Sequence, residues 1–449
     1  MKQEILDFAK KAVEIAGKKG AGSAEAYSEW GKEFSVTTRD GEVETLSQAT
    51  SAGVGLRVIN DGHLGFGYTS DVELGGVEAF VDRILAMSKE TAKDENNALP
   101  SGTMMEKRNK TPNIYDEAVV NLPPEWTINA ALEMEKVARA ADKRIVTVAQ
   151  VGGGNYIYEG AIVTSGGLVD SYRSTHIWLF AVPFAQDESG GQRDYWQDTS
   201  THLSEIDTPE QIAKIAAERT VRMLGATKIP SGNMPVVFDP QMAQSFVGDI
   251  VGAINGDLVY KKASFLGDKL GKKIAGELLT VVDDGLRDKG TGSAPFDGEG
   301  VPTGTKILVD KGILTTFLYD TYTANKAKAK TTASARRGYN SLPGIGTFNL
   351  YTQPGQTPPE EILKSIDHGL YVTKMMGSGV NTVNGDFSRG ANGFLIEKGE
   401  LTKPVQEVTV AGNMLEMLGR IDAVGNDLDF RGSGGAPTIR FSELSVSGK

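Results

Sequence analysis

The sequence contains no cysteine. Disulfides, thiolate zinc sites, iron–sulfur clusters and cysteine nucleophiles are thereby excluded together. Histidine is nearly as scarce. His63, His176, His202 and His368 are the only four, and no two lie within a helical turn of each other, so a helical metal pair of the H-E-x-x-H kind cannot form. Serine has no G-x-S-x-G elbow; the stretches GSGV (377–380) and GSGG (432–435) read as flexible loops. No P-loop is present, and GVGLRV (53–58) lacks the full dinucleotide fingerprint. Long apolar runs are missing too. The longest, IWLFAVPFA, falls well short of the roughly 20 residues that span a bilayer, and the N-terminus is a charged amphipathic segment without a signal-peptide core. An excess of positive charge is also lacking. The net charge of −11 opposes nucleic-acid binding through bulk electrostatics. A cytoplasmic protein that engages neither nucleic acid nor membrane is the expectation.

What is present is enough chain for two to three domains: 449 residues. Ile5, Phe8, Ala12, Val13 and Ala16 recur at helical spacing. Two hairpins follow, with tips at Asp40-Gly41 and Asn60-Asp61-Gly62, then a helix around Val77, Phe80, Val81 and Ile84. The polar stretch from Asp94 to Pro124 reads as a long connection. The order then recurs: a helix over EWTINAALEMEKVARAAD, strands over RIVTVAQV to QRDYWQD, and a helix over TPEQIAKIAAERTVRML. This last helix opens with a capping-box pattern at Thr208, Pro209 and Gln211. The expected fold class is α+β. A two-layer α/β domain (1–228) is built from a duplicated helix–β-meander–helix unit (1–93 and 124–228). It is followed by a β-rich domain (229–449), barrel or sandwich, with a few helices. Within the second domain TPPEEILKSIDHG predicts a helix with Thr357 as N-cap, Pro358 at N1, His368 in its last turn and Gly369 after its end.

Two charged stretches carry candidate chemistry. Asp283, Asp284, Asp288, Asp297 and Glu299 occupy a glycine-rich loop. Their oxygens either hold a hard cation or form a solvated surface loop, and the spacing, which matches no calcium loop, favours the second. The segment NKAKAKTTASARRGYN ends in Arg336-Arg337. It is either a solvated charge run or a grip for a peptide backbone or carboxylate.

Taken with TRDGEVETL, GVGLRVINDGHLGFGYTSD, GELLTVVDDG, DGEGVPTGTKILVDKGIL, RRGYNSLPG and the tail LTKPVQEVTVAGN to the C-terminus, the chain resembles the TldD/PmbA family along nearly its whole length. The resemblance implies two kinds of subunit. TldD-like chains carry H-E-x-x-x-H and a C-terminal cysteine and bind a metal for peptide hydrolysis; PmbA (TldE)-like chains lack these residues and pair with a TldD-like chain. At the corresponding place this sequence reads Gly248-Asp249-Ile250-Val251-Gly252-Ala253. Gly248 and Ala253 stand where the histidines would be, and Asp249 where the general base would be. Zinc needs about three protein donors at a catalytic site, and glycine and alanine supply none.

The resemblance therefore implies a non-metal-binding, PmbA/TldE-like subunit of a metallopeptidase. It would have no catalytic or metal-ligating residue or cofactor of its own, with zinc in a TldD-like heterodimer partner and a homodimer when alone. Asp249, Arg336 and Arg337 are the candidate peptide-substrate contacts. Ser245, Gly248, Asp249, Gly252 and Gly256 form a bare helix face that either lines the peptide chamber or packs closely inside its own domain. Two alternatives stay open: an autonomous metal-dependent peptidase using the acidic loop, and a regulatory binding protein of the kind the family label "modulator of DNA gyrase" describes.

Overall fold

The computed structural model describes residues 2–101, 110–377 and 379–449. The N-terminal half begins with α1 (Gln3–Lys18), β1 (Ser23–Arg39), β2 (Glu42–Asn60), β3 (His63–Thr69) and α2 (Val77–Glu90). Asp40 and Gly41 take positive φ of 53° and 80° at the β1–β2 turn, the geometry of a type I′ hairpin for which Asp-Gly is suited. After the one-turn α3 (Glu117–Val120) come α4 (Pro124–Ala141), β4 (Ile145–Thr164), β5 (Val169–Asp187), β6 (Gly190–Arg193), β7 (Trp196–Ser200) and α5 (Pro209–Val221). Both bonds of the Thr208/Gln211 capping box form. Among the described residues the strands make one sheet in the order β3-β2-β1-β4-β5-β6, with β7 also on β5. The two meanders join through the antiparallel β1–β4 pair, from Glu25 opposite Thr164 to Thr38 opposite Val151. Helix–meander–helix thus occurs twice within one continuous sheet.

All the long helices cover one face of that sheet. Phe8 and Ala12 of α1 and Phe80 and Ile84 of α2 pack on Val54, Leu56 and Val58. Met134 of α4 and Ile212 of α5 pack on Val151 and Leu179. Each fully buried Val, Leu, Ile, Phe or Met side chain among these contributes about 1.5–3 kcal/mol. Because strand side chains alternate, the intervening residues Glu25, Tyr27, Glu29 and Arg57 point to the other face, and the C-terminal half covers them.

That half contains β8 (Gly232–Phe238), α6 (Pro240–Ala253), α7 (Gly256–Tyr260), β9 (Val281–Asp284), β10 (Thr305–Asp310), β11 (Ile313–Leu314), α8 (Thr321–Ala327), β12 (Ala335–Arg336), β13 (Gly344–Ile345) and β14 (Leu350–Thr352). It continues through α9 (Pro359–Lys364), β15 (His368–Met376), β16 (Asp386–Glu397), β17 (Glu400–Asn413), α10 (Met414–Gly419), β18 (Ile421–Val424), β19 (Asp429–Arg431), β20 (Gly434–Ala436) and β21 (Ile439–Ser447). Strands β17-β16-β15-β8-β21 close into a ring because β21 pairs with both β8 and β17. The architecture is therefore a closed barrel, which removes its strand edges. Helix α6 packs against it through Phe246, whose ring lies 5.8 Å from Phe238, 5.1 Å from Phe441 and 5.8 Å from Phe387.

Several expectations need correcting. Helix α9 starts one residue later than its pattern implied, with Pro358 at the cap and no side-chain cap bond. His368 and Gly369 are not its end but the start of β15, paired with Glu397 and Ile396; barrel pairing overrides the helical signal. The helix expected from Ser245 to Asp257 is two, α6 and α7, broken at Ile254 and Asn255. The acidic stretch is not a solvated loop, because Asp283, Asp297 and Glu299 are buried. The basic run is partly helical, in α8. Of the long connection, residues 102–109 lie outside the described residues, as does Ser378 of GSGV.

Candidate functional site

Strand β8 delivers the chain to α6, whose first turn is capped by Asp239: its carboxylate accepts from Met242 N at 2.8 Å. Pro240 fills N1, where its missing N–H costs nothing. Further along, Phe246, Val247, Ile250 and Ala253 are buried in the core. Gly248 faces the other way, and a Cβ placed on it would meet nothing within 4 Å. Close packing, one of the two readings of the bare face, holds only at Gly256, where a Cβ would strike the Tyr319 ring. At Gly248 the face is open. Beside it Asp249 is ion-paired: Arg389 Nη2 lies 3.2 Å from its carboxylate, and Nη1 of the same guanidinium donates to Ser245 Oγ at 2.8 Å. Burial pushes the Asp249 carboxyl up, and Arg389 pulls it partly back.

A second polar constellation lies between the bare face of the sheet and the C-terminal half. Arg57 Nε stands 2.9 Å from Glu25 and its Nη2 3.0 Å from Glu299, while Arg337 Nη1 stands 2.7 Å from Glu25. All four side chains are at least nine-tenths buried. Such charges are tolerated inside only when paired. Glu25 is held below its ordinary range although burial opposes this, because Arg337 and Arg57 flank it. Glu299 also accepts from Thr321 N at 2.8 Å, and Asp297 from Glu299 N at 2.9 Å and Ala335 N at 3.1 Å. Burial and the Glu299 charge push Asp297 up.

Next to this cluster is a cavity of about 200 Å³. Its sheet wall is aromatic: Tyr158 and Tyr172 have ring centroids 5.6 Å apart, and Tyr172 meets Phe296 edge-on at 5.3 Å. Tyr158 donates to Glu29 at 2.8 Å and its hydroxyl lies 3.1 Å from that of Tyr27. Burial raises both phenols well above their ordinary pKa, so they remain protonated. The opposite wall carries Arg336, stacked 4.7 Å over Phe348, and Arg337, 4.7 Å over Tyr27.

The sequence-predicted site residues thus fall in two places. Arg336 and Arg337 line the cavity, and Gly248, Asp249 and Ala253 belong to α6, Ala253 being buried in the core. His176 lines the cavity beside Tyr156, and burial lowers its imidazole to about 4. His63 contacts Thr91 O at 2.7 Å, His202 contacts Thr201 at 2.8 Å, and His368 is exposed. Sequence reasoning missed Glu25, Glu29, Arg57 and Arg389. The available signal was a charge alternating with apolar residues within strands, as in GLRVIN, where a half-buried strand would put water or a partner.

Residues 231–448 match the PmbA/TldA metallopeptidase C-terminal domain, residues 24–88 its domain 1 and residues 118–224 its central domain. The chain is 32% identical to Metalloprotease PmbA of Escherichia coli O157:H7, over 98% of this chain and 95% of that protein. It belongs to the PmbA/TldD metallopeptidase family. A structure from Bacteroides thetaiotaomicron VPI-5482, solved as a candidate modulator of DNA gyrase, superimposes with a TM-score of 0.92 at 29% identity, covering 100% and 99% of the two chains. TldE from Thermococcus kodakarensis shares the fold, with a TM-score of 0.88 at 23% identity over 98% and 100% of the chains. The PmbA/TldD family name implies a metal, and these three positions of α6 offer it no free side-chain ligand. Gly248 has no side chain, Ala253 faces the core and Asp249 is engaged by Arg389. Among the described residues no group of three or more His, Asp or Glu is arranged to hold an ion.

Proposed function

We propose that this chain is the PmbA/TldE-like subunit of a two-chain peptidase, without a metal centre of its own. Relatives named metalloproteases supply the reaction class. The observation that carries the subunit role is the vacant face at Gly248: open to its surroundings, bare of donors, and flanked by an aspartate already spent on Arg389. A TldD-like chain with an intact H-E-x-x-x-H would supply the zinc and the chemistry. This chain would complete the chamber and hold extended peptide, whose backbone can be bound with little regard to sequence. In isolation it would pair with itself through the same surface. A cytoplasmic setting belongs to this reading, and no helix of the described residues is long and apolar enough to cross a membrane.

The test is reconstitution. The purified chain, a TldD-like chain from the same cell and their mixture are assayed on unfolded peptides with zinc. Turnover by the mixture that exceeds the sum of the separate chains supports the subunit role; chelator-sensitive turnover by this chain alone refutes it. The autonomous reading through the acidic loop is less well supported, since Asp283 is paired with Lys306 at 3.0 Å and Glu299 with Arg57. For a regulatory role, removal of a peptide effector fits the net charge of −11 better than direct contact with DNA.

A further inference from the structure

The first half of β2 is bare on three sides. Every residue from 39 to 51 is exposed, so neither face of the strand is covered there. One edge pairs with β1. The other pairs with β3 only from Val54 onward, and among the described residues no strand pairs with it between Glu42 and Gly53.

A free edge of this length is a template for another strand, and proteins blunt such edges with lysine, proline, bulges or a covering element. Leu46 to Ala52 reads LSQATSA, with no charge and no proline. The one shift in the β1–β2 register lies at Thr37/Thr38, beside the turn. Leu46 stands opposite Val36. Val36 is buried with Phe34 and Ala131 of α4, whereas Leu46 is 53% exposed. The apolar row under α4 thus runs outward to an uncovered leucine.

Charge chooses the occupant. Glu42 and Glu44 stand at one end of the edge, and the exposed Lys32 lies opposite Thr50 at the other. Glu44 is engaged by Arg39 of its own chain at 2.9 Å. An antiparallel strand of the same sequence brings the Glu42 end of each copy to Lys32 of the other; a parallel one sets acid beside acid. Antiparallel pairing of like with like is a two-fold contact, and it closes, because each copy covers the other's edge.

The space along the edge sets the register. Strand β3 fills it as far as Val54, so the second copy's Asp40-Gly41 turn must stop short of that point. With the axis at Leu46, Leu46 meets itself, Thr45 meets Ser47, and Asp40 ends opposite Ala52. Moving the axis to Ser47 drives Asp40 onto Val54.

We infer that the β2 edge is an interface with a second copy of this chain, joined antiparallel about a two-fold axis at Leu46 into one continuous sheet. Self-association of the lone chain belongs to the subunit reading, and the surface named here rests on that reading.

Because the chain has no cysteine, single cysteines in the full-length protein test the register. Leu46→Cys sets the two thiols on the axis, where opposed Cα atoms are about 4.5–5.5 Å apart, within disulfide reach. Gln48→Cys sets them about 14 Å apart along the strands, out of reach. Under mild oxidation Leu46→Cys should form a covalent dimer at least tenfold faster than Gln48→Cys; equal rates overturn the inference. Light scattering gives a second readout. Leu46→Lys and Leu46→Glu should each weaken the dimer at least tenfold, and their equimolar mixture should restore it. A monomeric wild-type chain overturns the inference, and so does a dimer indifferent to both charges. Such a dimer, together with excess turnover in the reconstituted mixture, removes the surface and leaves the subunit role. Cross-linking at Leu46 without excess turnover does the opposite.

Discussion

Arg389 on β16 holds Asp249 on α6, with 3.2 Å between guanidinium and carboxylate and both side chains less than one-sixth exposed. Asp249 is thus one half of an ion pair between helix and barrel. Asp249→Ala leaves Arg389 buried without its counter-charge and should destabilise the chain by about 1–3 kcal/mol. Removing both partners should cost less than the sum of the single changes. Denaturant unfolding of the three variants checks this, and additive losses would mean that the pair contributes nothing.

Gly248 and Ala253 should respond oppositely to added atoms. Gly248→Ala introduces a Cβ into open space and replaces a poor helix former, so it should stabilise α6 by roughly 0.5–1 kcal/mol. Ala253→His pushes an imidazole into the closed core and should cost about 1–3 kcal/mol or more. Paired unfolding curves decide. A neutral Ala253→His would mean that the position opens to a site after all.

Much of this was legible from residues alone. The Asp40-Gly41 turn and the Thr208 capping box follow local rules, and local chemistry decides them. The period of Ile5, Phe8 and Ala12 identifies α1 because one face must be buried. Barrel closure was not legible, because β17 and β21 meet across long sequence separation. His368 was misplaced for the same reason: its strand partner, Glu397, is remote in sequence. The buried acids looked like a surface loop because their partners, Arg57 and Lys306, lie elsewhere in the chain. Arg336 and Arg337 were visible as a pair, but their separation from Asp249 was not.

GVGLRV has a structural purpose that its resemblance to a nucleotide loop conceals. A Cβ on Gly53 would collide with the Tyr339 ring, and one on Gly55 with the Tyr339 carbonyl. These glycines let the RRGYN segment lie flat on the sheet, where Glu29 accepts from Tyr339 N. Gly55→Ala should therefore cost about 1–3 kcal/mol and displace the loop that carries Arg337. Tyrosine fluorescence and thermal melting report both effects; an unchanged melt would contradict the packing.

Asp239 gives stability a pH dependence of known sign. Burial, set against Arg219, Arg222 and the Met242 amide, leaves its folded pKa raised to about 6, above the usual 3.8. The folded state binds this proton more tightly than the unfolded state, so the group's contribution falls as pH rises from about 4 to about 6. Asp239→Asn keeps an oxygen to cap α6 and has no proton to lose. The variant should gain about 1–3 kcal/mol relative to wild type between pH 4 and pH 7. A constant difference across that range would show that Asp239 titrates normally.

The central claim is that α6 cannot hold the metal its family uses. Zinc titration of the purified lone chain, by calorimetry and by metal content after dialysis, tests it most directly. The account predicts no stoichiometric zinc and no change when Asp249 is replaced by Ala. One tightly held zinc per chain, lost in that variant, would contradict it.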